Sequence, residues 1–267
     1  MPDRDSPDFI EALARGLDVI RAFGTAGSPS TLSDLAQASA LTRPTTRRVL
    51  ITLMELGYVR SEGGAFALTP RVLELGLAYV SASDVWTAAR PHLERLSAST
   101  GESCSMAQLD GGDVVYVARV AVPKLVALSV GIGTRFPAAA TSLGKVLLAA
   151  LPEAERDAAL AERSRSGVRP ATESTREALL AELAVVREQG WALTDQALAP
   201  SVRSIAAPVP DGDGGVVAAV NVNAHAMETS LEVLTERHLP HLLDAAAAIA
   251  ADWALLARRP ISSVLPR

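Results

Sequence analysis

Apolar residues near the start of the chain recur every three or four positions, a spacing that predicts an amphipathic helix. Phe9, Leu13, Leu17, Ile20 and Phe23 carry this pattern. We expect them to share one buried face. The pattern stops at a short segment that contains glycine and proline, where the helix should end.

Two further helices are predicted from their start signals. Thr31, with Asp34 three residues later, forms a capping-box pattern ahead of a short second helix. Thr42 is a good N-cap and Pro44 is tolerated in a first turn. A third helix is therefore predicted from about Arg43 to Leu56.

The third helix has one apolar face and one cationic face. Val49, Leu53 and Leu56 should pack inward. No acidic residue lies between Thr42 and Met54, although the whole chain carries a net charge of −5. Positive charge suits phosphate contacts, but solvated arginines on any small helical unit would give the same pattern. The predicted DNA-contacting residues are Thr42, Arg43, Thr45, Thr46, Arg47 and Arg48.

Two short strands follow the third helix. Residues 58–60 and 65–68 flank Glu62-Gly63-Gly64, which predicts a hairpin whose glycines adopt positive φ. Three helices and a hairpin form a winged helix-turn-helix, predicted for residues 9–69. In such domains the second helix of the pair enters the major groove of DNA.

Residues 70–100 are predicted to form two linker helices. Leu73, Leu75 and Leu77 belong to an apolar stripe in the first, and Asp84 is a candidate cap for the second, which contains Trp86. Burial of these apolar residues against a second subunit and burial against the chain's own second domain are equally consistent with the pattern.

Residues 101–257 predict an α+β domain, because strands alternate with helices. Asn221 and Asn223 lie two apart in an otherwise apolar strand, so their side chains share a face. Buried amides need partners, which a polar ligand or core water would supply. The predicted strands cover 103–109, 114–120, 125–129, 191–194, 204–209 and 216–223, and helices are predicted from Ser142, from Glu153, over 176–188 and over 231–255.

Composition narrows the class of protein. A chain of 267 residues has room for two domains, and 49% hydrophobic residues are typical of a folded protein. Cys104 is the only cysteine, so an intrachain disulfide and an iron-sulfur site are excluded. The amino terminus lacks the features of a secretory signal, and no stretch is apolar enough for a membrane span. We expect a cytoplasmic protein.

The sequence offers no convincing catalytic, metal or cofactor site. His238 and His241 are three apart on a helix, but without a third ligand a surface position is the better interpretation. Cys104 has no cationic neighbour in the sequence, which favours a buried structural thiol. Gly131 and Gly133 are not followed by the lysine of a phosphate-binding loop. We therefore expect neither an enzyme nor a bound cofactor.

Taken together, these motifs resemble the IclR family of bacterial transcriptional regulators from Phe9 to about Trp253. Within that family the chain resembles the branch that controls protocatechuate, 4-hydroxybenzoate and β-ketoadipate catabolism. The segments that carry the resemblance are LSDLAQASALTRPTTRRVLITLMELGYV, AATSLGKVLLA, DQALAPSVRSIAAPV and VVAAVNVNA.

The resemblance implies a GAF-like effector-binding domain, homodimers that often pair into tetramers, and binding to double-stranded operator DNA. It also implies a small organic acid, aromatic or dicarboxylic, as effector of a catabolic operon. Asp195 is included among the contacts, although alternation along the strand places it on the face opposite Thr194. The implied effector-binding residues are Leu125, Leu128, Phe136, Ser142, Leu143, Thr194, Asp195, Ser204, Asn221 and Asn223.

This sequence departs from the commoner family pattern in the implied pocket. Thr194 and Ser204 stand where many members have an acid and a cysteine, and asparagines replace serines. The effector, the operator, the sign of regulation and the choice between dimer and tetramer are therefore open. The alternative function is a ligand-binding or enzymatic domain whose helix-turn-helix serves protein interactions.

Overall fold

A computed structural model describes residues 6–82, 85–123 and 130–257. The chain divides into two compact units, residues 1–82 and 83–267. The two predicted linker helices thus fall in different units. The predicted cap Asp84, the predicted strand 125–129 and the predicted pocket residues Leu125 and Leu128 lie outside the described residues.

The first unit contains the predicted three helices and hairpin, so the winged helix-turn-helix is confirmed. Thr31 and Asp34 form a reciprocal capping box, and Thr42 caps the third helix by accepting a hydrogen bond from the Thr45 amide. The hairpin turns at Gly63 and Gly64, both with positive φ. The elements are α1 (Glu11–Ala26), α2 (Leu32–Ala38), α3 (Arg43–Glu55), β1 (Val59–Glu62), β2 (Ala65–Leu68), a 3₁₀ turn at Pro70–Val72, and α4 (Leu73–Ala82).

The core of the first unit differs from the predicted faces. Leu13 and Leu17 on α1 are 61% and 39% exposed, and Leu56 after α3 is 52% exposed. The prediction that these residues pack inward is wrong, because α2 and α3 pack against a different part of α1. The buried cluster contains the predicted Phe23 and Leu53, together with Val19, Ala22, Leu35, Leu50 and Val59.

The second unit is built on one six-stranded antiparallel sheet in the order β5-β4-β3-β8-β7-β6. Helices pack on both faces, so the predicted α+β class is confirmed. The elements are α5 (Val85–Thr100), β3 (Ser103–Asp110), β4 (Asp113–Val120), β5 (Arg135–Pro137), α6 (Ser142–Ala150), α7 (Glu153–Ala161), α8 (Arg176–Gln189), β6 (Ala192–Asp195), β7 (Val202–Pro210), β8 (Val216–His225) and α9 (Leu239–Ala257), with a π-helical turn at Val233–His238 before α9.

Each face of the sheet has its own apolar core. One core joins the sheet to α5 and α9 and includes Leu93, Met106 and Ile249. Because Leu93 is fully buried there, α5 is an integral part of the second unit. The other core joins the sheet to α6 and α8 through Leu143 and Leu183.

The burial of His238 and Cys104 tests one prediction for each residue. His238 is only 7% exposed, so the predicted surface position is wrong. Cys104 is fully buried under the α5 face of the sheet, as expected for a structural thiol. Burial raises the pKa of the Cys104 thiol to about 12.

A β-bulge in β4 decides which side chains reach the α6 face. Met106 on β3 pairs with Ala118, but the next residue, Ala107, pairs with Tyr116, so Val117 is the extra residue. A bulge of this kind reverses the face of the sheet to which the following side chains point. Tyr116 and Arg119 consequently face the same side of the sheet.

Candidate effector cavity and DNA-binding face

A cavity of about 170 Å³ lies on the α6 face of the sheet in the second unit. Its apolar wall includes Tyr116, Val130, Ala140 and Leu198. Its polar and charged lining includes Glu102, Ser103, Arg119, Thr141, Thr194, Ser204, Asn223 and His225. This mixture of apolar wall and converging polar groups is typical of a small-molecule site.

A chain of three buried hydroxyls borders the cavity where α6 begins. Ser204 Oγ on β7 lies 2.7 Å from Ser142 Oγ and 2.9 Å from Thr194 Oγ1 on β6. We call Ser142, Ser204 and Thr194 the hydroxyl triad. Ser142 is the first residue of α6, which Thr141 caps by accepting a hydrogen bond from the Gly144 amide. The structure therefore brings these three predicted pocket residues together. Thr194 and Ser204 line the cavity, whereas Ser142 is fully buried behind Ser204.

The two asparagines of β8 satisfy each other. The Asn221 amide donates to Asn223 Oδ1 over 3.1 Å, and the Asn223 amide donates to Asn221 Oδ1 over 3.2 Å. Asn223 lines the cavity, whereas Asn221 is buried beside it and reaches the cavity only through its partner. Neither a ligand nor a water is thus required to explain why this strand carries two amides.

Three other predicted pocket residues do not line the cavity. Leu143 is fully buried in the α6 core, and the Phe136 ring packs edge-on against Tyr116 with ring centroids 5.6 Å apart. Asp195 Oδ1 accepts a 2.6 Å hydrogen bond from Arg203 Nε in a surface ion pair. This ion pair lowers the pKa of Asp195. The prediction of Asp195 as an effector contact is therefore wrong, because its strand directs it away from the cavity.

Arg119 and Tyr116 also line the cavity, although neither was predicted from the sequence. Arg119 Nη1 donates to Ser105 Oγ over 3.0 Å, and burial lowers the pKa of this guanidinium. Burial likewise raises the pKa of Tyr116 to about 12, so its phenol is neutral. A single arginine within the apolar strand VVYVARV was the available signal.

The outer face of α3 carries most of the predicted DNA-contacting residues. Arg43, Arg47 and Arg48 are exposed, and none of them forms an ion pair with another described residue. Thr42 is exposed at the N-cap and Thr45 is half-buried. Thr46 is fully buried and its hydroxyl donates to the Thr42 carbonyl over 3.1 Å. Thr46 therefore supports the helix, and the prediction that it reaches DNA is wrong.

The described residues contain neither a metal-type cluster nor a membrane-spanning helix. Within 6–82, 85–123 and 130–257, histidine, cysteine and carboxylate side chains do not gather in groups of three suited to a metal ion. No helix in the described part of the chain has the length and apolar character needed to cross a membrane.

Comparison with known families matches both units. Residues 12–63 match the IclR helix-turn-helix domain, and residues 77–251 match the bacterial transcriptional regulator IclR C-terminal domain. Members of this family are transcriptional regulators and not enzymes. The alternative in which the helix-turn-helix serves protein interactions is therefore not favoured.

Individual relatives point to aromatic catabolism. The chain is 39% identical over 240 residues to the Pca regulon regulatory protein of Pseudomonas putida, covering 90% of this chain and 82% of that protein. It is 31% identical over 244 residues to the p-hydroxybenzoate hydroxylase transcriptional activator of Acinetobacter baylyi, covering 90% of each.

A solved structure agrees with these relatives. An IclR homologue from Microbacterium hydrocarbonoxydans, complexed with 4-hydroxybenzoate, superposes with a TM-score of 0.79 at 27% identity, covering 92% of this chain and 100% of that one. The chain belongs to the IclR family of bacterial transcriptional regulators, within which it resembles regulators of aromatic catabolism.

Proposed function

We propose that this regulator binds double-stranded operator DNA through α3 and responds to a small organic acid held in the cavity of its second unit. The operator contacts are Thr42, Arg43, Thr45, Arg47 and Arg48. The exposure of Thr42 and of the three arginines at the amino half of α3 supports this assignment, since the first turns of a recognition helix meet base edges and phosphates.

The observation that carries the effector proposal is the cavity itself. It combines an apolar wall with the hydroxyl triad and Asn223, and its volume of about 170 Å³ suits a small molecule. The effector is an aromatic or dicarboxylic acid. This class is supported by the 4-hydroxybenzoate complex of a structural neighbour and by the names of the relatives.

The biological setting follows from the same comparisons. We propose control of a catabolic operon for aromatic acids in the cytoplasm, where operator DNA is accessible. Ser204, Thr194 and Asn223 contact the effector, and the buried Ser142 and Asn221 support Ser204 and Asn223 from behind. Leu143 and Phe136 shape the apolar surroundings through their neighbours.

We also propose that the chain forms a homo-oligomer through its first unit. An apolar groove of about 550 Å³ runs between α1 and α3 in the first unit and is bordered by Leu75 of α4. Leu13, Leu56 and Leu75 expose 61%, 52% and 49% of their surface there. Exposed apolar surface of this extent marks interaction sites in soluble proteins. The proposed partner is a second copy of this chain, because symmetric homodimers are the commonest oligomers.

Thermal unfolding with added ligands tests the effector proposal, because a ligand that binds the folded state raises its stability. The compounds are protocatechuate, 4-hydroxybenzoate, β-ketoadipate and glyoxylate. A rise in the midpoint with an aromatic or dicarboxylic acid supports the proposal and identifies the compound to add to operator-binding assays. No rise with any of them contradicts the effector class while leaving DNA binding intact.

A further inference from the structure

Arg119 is a partly buried cation beside the cavity that no carboxylate neutralises within the described residues. Its one hydrogen bond there is to the neutral Ser105 hydroxyl. Glu102, an acid that lines the same cavity, accepts a 2.8 Å hydrogen bond from Thr229 Oγ1 and does not pair with Arg119. Burying a charge without a partner is costly. An anionic ligand would remove that cost.

The hydroxyl triad retains hydrogen-bonding capacity after its internal bonds are made. Its two hydrogen bonds use two of the three hydroxyl hydrogens, so one donor and several acceptor positions remain. Thr194 and Ser204 both line the cavity. The triad can therefore bind a second polar group that both donates and accepts.

Arg119 and the triad lie at different ends of the cavity. Arg119 contacts Ser105 on β3, whereas Ser204 lies on β7, and β8 separates these two strands. At a spacing of about 4.8 Å between neighbouring strands, β3 and β7 are about 10 Å apart. A single carboxylate is too small to contact both ends. The wall that connects them includes the apolar surfaces of Tyr116, Val130 and Leu198.

We propose that Arg119 binds the carboxylate of the effector while the hydroxyl triad binds a second polar group at the opposite end of the same molecule. This inference rests on the proposed effector function and deepens it. It makes Arg119 a specificity-determining residue and requires a ligand with two polar ends and an apolar middle. A para-hydroxylated aromatic acid meets all three requirements.

The test measures binding to the full-length protein by calorimetry. The probes are 4-hydroxybenzoate, benzoate, which lacks the second polar group, and 4-hydroxybenzamide, which lacks the charge. Wild-type protein should bind 4-hydroxybenzoate at least about tenfold more tightly than either analogue, because each analogue leaves one buried polar end of the site unpaired. In Arg119→Gln the preference for the acid over its amide should disappear.

A matched variant separates binding from a structural role. Arg135 is an arginine of the neighbouring strand β5, but it pairs with Asp110 at 2.7 Å and with Asp113 at 3.1 Å. Arg135→Gln should lower the unfolding midpoint and leave the affinity for 4-hydroxybenzoate unchanged. Arg119→Gln should do the opposite, since it removes a charge that has no acidic partner among the described residues. Arg119→Lys should recover part of the affinity because it restores the charge.

The outcomes distinguish the two proposals. If 4-hydroxybenzoate, protocatechuate and β-ketoadipate all fail to bind the wild-type protein, the effector function is wrong and this inference falls with it. If one of these acids binds the wild-type protein and Arg119→Gln binds it equally well, the carboxylate lies elsewhere and only the role of Arg119 is overturned. An affinity loss of at least about tenfold for that acid in Arg119→Gln, with an undiminished unfolding midpoint, supports the inference.

Discussion

Tyr116 and Arg119 are three residues apart in one strand, yet both side chains line the same cavity. In a regular strand they would point to opposite faces, because side chains alternate with a period of two. The bulge at Val117 shifts the register between Met106 and Ala107 of β3 and brings the two side chains to one side. One extra residue in β4 therefore places both the aromatic ring of Tyr116 and the charge of Arg119 in the cavity wall.

Replacing Arg47 by alanine should weaken operator binding without unfolding the first unit. Arg47 is exposed on α3, and each lost phosphate contact reduces the slope of log affinity against log salt by about 1. Electrophoretic mobility shifts at several salt concentrations measure this slope. Arg21→Ala removes the same charge from α1, where Arg21 pairs with Asp18, and should leave the affinity unchanged. Equal affinity of Arg47→Ala and wild-type protein would contradict the DNA-binding assignment.

Substitutions at the neighbouring residues Thr194 and Asp195 should have different effects on the stabilisation that the ligand produces. Thr194→Val deletes the hydroxyl that lies 2.9 Å from Ser204 Oγ, so the ligand-induced rise in unfolding midpoint should shrink or vanish. The side chain keeps its shape, and the intrinsic stability should fall by only about 1 kcal/mol. Asp195→Ala removes a surface carboxylate paired with Arg203, and the ligand-induced rise should persist. A reversed pattern would place the effector on the other face of β6.

The thiol of Cys104 should not react in the folded protein. Burial raises its pKa to about 12, so at pH 8 the thiol is neutral, and only the thiolate is nucleophilic. Titration with a chromogenic disulfide reagent at pH 8 should detect no thiol in the native state. One thiol per chain should appear after denaturation, because Cys104 is the only cysteine. Rapid labelling of native protein would show that the sheet opens at this position.

Gly144→Ala should destabilise the second unit. A Cβ at this position in α6 would lie 2.1 Å from the Ala138 carbonyl oxygen and 2.4 Å from the Ala138 Cα. Relieving such overlap between backbones typically costs at least about 1–3 kcal/mol. The midpoint of thermal unfolding should fall by about 2–4 °C per kcal/mol.

Gly131→Ala is the matched control for this prediction. A Cβ at Gly131 would have no atom within 4 Å, and its backbone does not adopt positive φ. We expect a change within about 1 kcal/mol, in the stabilising direction. Equal midpoints for the two variants would show that α6 moves away from Ala138 without cost.

Much of the fold could be predicted from the sequence because its signals are local. The capping box of Thr31 and Asp34, the N-cap Thr42 and the glycine turn at Gly63 involve hydrogen bonds or backbone angles within a few residues. Apolar periodicity likewise predicted the element types and the α+β class of the second unit. Three of the predicted pocket residues, Ser142, Thr194 and Ser204, also proved to be neighbours.

Burial within the helices was less predictable. Leu13 and Thr46 show why: Leu13 belongs to a regular apolar pattern yet is exposed, and Thr46 lies among arginines yet is buried. The pattern of one helix reports that some face is apolar, but not which neighbouring helix covers it. Only the packing of α1, α2 and α3 decides that question.

What the sequence alone determined was therefore the order of elements, their caps and turns, and the polar character of strands β6, β7 and β8. What only the tertiary structure decided was which side chains share a cavity. Arg119 joins the site through a bulge, and Asp195, which strand alternation already places on the face opposite Thr194, pairs with Arg203 on the surface. The physical reason is that register shifts and ion pairs depend on residues from different strands, which no periodicity within one strand encodes.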